Sequence, residues 1–84
     1  MGYSFTLFTL EFTSSNTESL HEAPRRFASN AEIVYFDKKS GKLKMQFVST
    51  ASLEQVLFIC DEFKKEVELS GGDRLTYRVV ITKF

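Results

Sequence analysis

"YSFTLFTLEF", residues 3–12, decides the fold, because its alternation carries large apolar side chains on both faces. Odd positions give Tyr3, Phe5 and Leu7; even positions give Phe8, Leu10 and Phe12. Interleaved Thr and Ser suit a pleated strand over 3–13 rather than a helix. A strand in a two-layer domain buries one face. Assigning the even residues to the core leaves Tyr3, Phe5 and Leu7 on an open face that needs a cover.

Downstream, the polar run Thr13–Thr17 ends this strand. Ser15 followed by Glu18 has capping-box form, and Leu20, Ala23 and Phe27 share one helical stripe, which predicts a first helix over 16–29. Pro24 either kinks that helix or opens a shorter one. Apolar-rich runs at 31–37 and 43–49 flank "DKKSGK", whose Ser40 and Gly41 supply hairpin turn chemistry.

Ser52 and Gln55 repeat the capping-box form, and Leu53, Val56, Leu57, Cys60, Phe63, Lys64 and Val67 recur at helical spacing, giving a second helix over 52–69. "SGG" at 70–72 terminates it. In "DRLTYRVVITKF", Leu75, Tyr77, Val79 and Ile81 alternate with Arg74, Thr76, Arg78 and Thr82 as a fourth strand. The order βαββαβ over 1–84 predicts one α+β domain of ferredoxin-like architecture: a four-stranded antiparallel sheet, first and third strands central, two helices on one face.

Composition narrows the functional classes. Eleven Lys and Arg cancel eleven Asp and Glu, so no global field draws the chain to nucleic acid or an anionic membrane. Cys60 is the only cysteine, which forbids an intrachain disulfide and fits a reducing, cytoplasmic compartment. No apolar run approaches the roughly 20 residues that span a bilayer, and the N-terminus reads as a strand rather than a signal peptide. The expectation is a soluble protein with no membrane partner.

Chemistry-bearing residues are sparse. His21 has Glu18 and Arg25 at helical spacing, yet no nucleophile or second histidine accompanies it, so it reads as a surface side chain. Cys60 lies on the apolar stripe of the second helix and reads as a small hydrophobe. Glu54, Asp61, Glu62, Glu66 and Glu68, interleaved with Lys64 and Lys65, form a solvated helix face. One Cys and one His do not make a structural zinc site. The expected catalytic, cofactor-binding and metal-binding residues are none, and the protein is read as a non-enzyme.

The residual signal lies on the sheet. The open-face residues expected at an interface are Tyr3, Phe5 and Leu7, bordered by Lys44 and Gln46 on one side and Arg78 and Val80 on the other. Self-association through this face is the first expectation, a different protein partner the second. A single-stranded nucleic acid is the alternative, held by Lys38, Lys39, Lys42, Lys44, Arg74 and Arg78 with Tyr3 and Phe5 for stacking. Against it, "GKLKMQFVS" lacks the rings that an RNA-recognition motif carries on its third strand.

Overall fold

The computed structural model describes residues 5–71 and 73–83. Along the chain run β1 (Thr6–Ser14), α1 (Thr17–His21), α2 (Ala23–Phe27), β2 (Glu32–Asp37), β3 (Lys42–Ser49), α3 (Leu53–Gly71) and β4 (Leu75–Lys83). The four strands form one antiparallel sheet in the order β2-β3-β1-β4, an α+β fold with β1 and β3 central as expected.

The even residues of β1 face the helices. Phe8, Leu10 and Phe12 are buried, and they meet Leu43, Met45 and Phe47 of β3, Leu75 of β4, Leu20 and Ala23 of the short helices, and Val56, Cys60, Phe63 and Val67 of α3 in one cluster. Phe8 stacks on Phe47 with centroids 5.3 Å apart, and Phe12 meets Phe63 edge-on at 5.4 Å. Burying each such ring or branched chain stabilises by about 1.5–3 kcal/mol, so this single layer between sheet and helices carries the fold.

The first helical segment differs from the expectation of 16–29. It is two five-residue helices with a break at Glu22. Pro24 sits in the first turn of α2, where its missing N–H and fixed φ are tolerated, so it opens a helix and does not kink one. The capping box expected at Ser15 and Glu18 is also replaced. Asn16 Oδ1 accepts the Ser19 N–H at 3.2 Å, while the Ser15 hydroxyl donates to Asp73 at 2.8 Å. Either polar residue can cap; the one whose side chain lies over the turn does so. Arg26 clamps α2 to α3 through two hydrogen bonds to the Glu66 carboxylate, 2.5 and 2.6 Å.

At α3 the box forms in both directions: Ser52 N–H donates to Gln55 Oε1 at 2.8 Å and Gln55 N–H to Ser52 Oγ at 3.2 Å. The β2–β3 hairpin turns through Lys38–Gly41, with Lys39 N–H donating to Asp37 Oδ1 at 3.0 Å and Gly41 at φ +68°. On β2 the register slips between Ile33 and Tyr35, a bulge at Val34.

Candidate functional surfaces

The open face is read from the ladder. Across β2, β3, β1 and β4, one row is Asp37, Lys42, Thr13 and Thr76; the next is Tyr35, Lys44, Glu11 and Arg78; the next is Glu32, Gln46, Thr9 and Val80; the last pairs Val48 with Leu7 and Leu7 with Thr82. Lys44 and Arg78 therefore flank Glu11, not Phe5 or Leu7, and Arg78 approaches the Glu11 carboxylate at 3.9 Å. Gln46 and Val80 flank Thr9. The expected apolar patch with a cationic border is corrected: the border lies further along the strand, beside β1's own acid.

Phe5 is corrected as well. The strand begins at Thr6, so the alternation no longer fixes Phe5, and this ring, 52% exposed, lines a groove of about 450 Å³ with the helix-side residues Phe8 and Ile81 and with Leu53 at the start of α3. Tyr3 lies outside the described residues. What stays apolar on the open face is Leu7 with Val48 and Val80, the two valines 37% and 39% exposed.

The two sheet edges differ. On β4, the Leu75 N–H donates to Glu68 of α3 at 3.1 Å and so points away from β1. Its pairing partner Ser14 likewise turns its N–H away from β4, to the Gly41 carbonyl at 2.9 Å. Residues two apart along a strand share that direction, so the N–H and C=O of Tyr77, Val79 and Ile81 face outward from the sheet. This edge runs nine residues without a bulge, a proline or an acid. The β2 edge is six residues long, interrupted at Val34 and bounded by Glu32 and Asp37.

Charge is segregated although the total is zero. Lys38, Lys39, Lys42, Lys44, Arg74 and Arg78, six of the eleven cations, gather on the hairpin end and open face of the sheet. On α3, five acids stand against Lys64 and Lys65. The hairpin Lys38–Gly41, the Thr13–Ser15 segment and Arg74 with Thr76 together line a concavity of about 420 Å³.

The remaining candidates take structural places. His21 lies flat over Phe36, 7° from parallel with centroids 6.1 Å apart. Cys60 is fully buried, and burial first, the Asp61 charge second, push its thiol up to about 12. The Tyr77 hydroxyl donates to Asp61 at 2.5 Å, and that bond, with burial, raises Tyr77 to about 12. Among the described residues no group of three His, Cys, Asp or Glu could hold a metal ion, and no helix is long and apolar enough to cross a membrane.

The β4 edge is not evident in the sequence, whereas the grouping of cations on the hairpin and fourth strand is. The first was legible only as a strand without acids; for the second, β-pairing adds the register that brings Lys42 and Thr76 to either side of Thr13. No protein-family model matches the chain, and neither does any curated protein or solved structure.

Proposed function

We propose that the protein is a non-enzymatic interaction module that associates with a second copy of itself through its sheet. The observation that carries this reading is the β4 edge, with outward-facing hydrogen-bonding groups at Tyr77, Val79 and Ile81 and, of the devices that blunt exposed edges, only the charges of Arg78 and Lys83. A twofold axis at Val79 sets Tyr77 opposite Ile81, Arg78 opposite Val80 and Leu75 opposite Lys83, so no like charges face one another. Lys83 of the second copy then arrives beside Glu68, the carboxylate that holds the Leu75 N–H. The two open faces become one, with Leu7, Val48 and Val80 uncovered along it for a further protein partner.

We read the architecture as a ferredoxin-like variant whose first crossover helix is broken at Glu22, and the single buried thiol as fitting a cytoplasmic setting. The nucleic-acid alternative ranks lower. Its cations are gathered, but among the described residues Tyr35 is the only ring in the rows of the open face.

Light scattering behind size exclusion tests the reading. The natural chain is expected at the mass of two copies at high concentration. Val79→Pro deletes one outward N–H, which an edge strand tolerates, and is expected to stay folded at the mass of one copy. A natural chain that is monomeric up to about millimolar concentration overturns the reading. A dimer that survives Val79→Pro and is lost in Val48→Glu assigns association to the open face instead of the edge.

A further inference from the structure

We propose that the concavity at the hairpin end is a binding site for the phosphate group of a small phosphorylated molecule, held by Lys38, Lys39 and Arg74. Three stretches far apart in sequence build it, and the sheet locks them together: Thr13 pairs with Lys42 on one side and Thr76 on the other, and Ser14 N–H donates to the Gly41 carbonyl. The hollow of about 420 Å³ is lined by these three cations with Thr13, Ser15, Ser40 and Thr76, and by no carboxylate.

None of the three cations forms an ion pair among the described residues, whose salt bridges are Arg25–Glu22, Arg26–Glu66 and Arg78–Glu11. The two nearby acids do not line the hollow and offset only part of its charge. Asp37 accepts the Lys39 N–H and a bond from Ser40, and Asp73 accepts the Ser15 hydroxyl. Lys38, Lys39 and Arg74 line one hollow with no carboxylate among its lining residues, an excess of positive charge that favours an anion of more than one charge. A phosphate dianion supplies that charge, and its oxygens suit a guanidinium fork, two ammonium groups and threonine hydroxyls together. The lining holds no ring on which a base could stack, which favours a compact phosphorylated molecule over a nucleic acid strand.

The test is an amide chemical-shift titration with pyrophosphate at about 0.1 M salt, beside parallel titrations with phenyl phosphate and with a short oligothymidylate. Saturable shifts confined to Ser15, Lys39, Ser40, Gly41 and Thr76 are expected with both phosphate probes. Arg74→Gln, or Lys38→Gln with Lys39→Gln, should weaken binding about tenfold or more, the scale of a lost charge-assisted contact. Lys64→Gln with Lys65→Gln on α3, the same change in net charge as the Lys38 and Lys39 pair, should leave it unaltered. Equal weakening by the α3 pair, or no saturable shift with either phosphate probe, overturns the site. Tighter binding of the oligonucleotide, with shifts spread to Tyr35 and Lys44, overturns it in favour of a nucleic acid surface.

Discussion

Gly41 and Ser14 are held against each other: Ser14 N–H donates to the Gly41 carbonyl at 2.9 Å, and a Cβ on Gly41 would stand 2.2 Å from the Ser14 carbonyl oxygen. Gly41 also has φ +68°. The first prediction follows from both facts. Gly41→Ala meets backbone, which yields less readily than a side-chain tip, and it adds the roughly 1–2 kcal/mol cost of a left-handed residue with a Cβ. A total loss of about 2–4 kcal/mol is expected, read as a lowered urea midpoint. A midpoint unchanged from the natural chain would mean that the hairpin closes by a different turn.

That contact also shows where sequence reading succeeds and stops. The glycine in "KKSGK" announced a turn, a local consequence of backbone sterics, whereas alternation over 3–12 offered two apolar faces and only the fold shows that Phe8, Leu10 and Phe12 are the buried ones. The stripe Val56, Cys60, Phe63 and Val67 was equally legible at helical spacing. Register was not. Whether Lys44 stands beside Phe5 or Glu11 depends on turn length and on where β1 begins, and a shift along the ladder moves every neighbour. Ser15 and Asn16 could each cap α1, and only the path of the chain to Asp73 separates them. The cationic hairpin and the acidic helix face were legible despite a net charge of zero, because each is a local run of residues.

The clamp between Arg26 and Glu66 makes a prediction for acid. The Arg26 guanidinium, by hydrogen bonding first, holds the Glu66 carboxyl below the usual carboxylate range. A carboxyl lowered in the folded state contributes stability at neutral pH and loses it as pH falls through that lowered value. Amide protection in α2, corrected for the intrinsic pH dependence of exchange, should therefore fall on acidification relative to protection in α3. Arg26→Gln should show the lower α2 protection already at neutral pH, and an α2 protection indifferent to both pH and substitution would exclude the clamp.

Alkali acts on the other side of α3. Cys60 and Tyr77 both titrate near 12 in the folded chain, above ordinary values of 9.0 and 10.0. Groups raised on folding contribute stability that is complete below their ordinary values and lost as pH rises through the folded ones. Stability should hold to about pH 9 and decline toward pH 12. Cys60→Ala should lower stability by about 1 kcal/mol at neutral pH, the small-group end of core truncation, while flattening the alkaline decline. Tyr77→Phe should flatten it too. A thiol reagent should label Cys60 only as fast as the protein unfolds, and rapid labelling of the native state would contradict its burial.

The last prediction sets two neighbours on β1 against each other. Phe8 is buried against Phe47, whereas Leu7, one residue earlier, stands on the open face beside Val48 and Thr82. Phe8→Ala empties a ring-sized volume from the core layer between sheet and helices and should cost about 3–5 kcal/mol, enough to leave a chain of this size marginal or unfolded at room temperature. Leu7→Ser removes a half-buried side chain that no helix covers and should cost about 1 kcal/mol or less. Thermal melts followed by circular dichroism separate the two by many degrees if the parity is as described, and reversing their order would put the odd residues in the core. Association adds a second axis. With the β4 edge as the contact, Leu7→Ser leaves the two-copy mass in place, because Leu7 hydrogen-bonds within the sheet and its side chain points along the joined face. Loss of the dimer in a fully folded Leu7→Ser would move the contact from the edge onto that face.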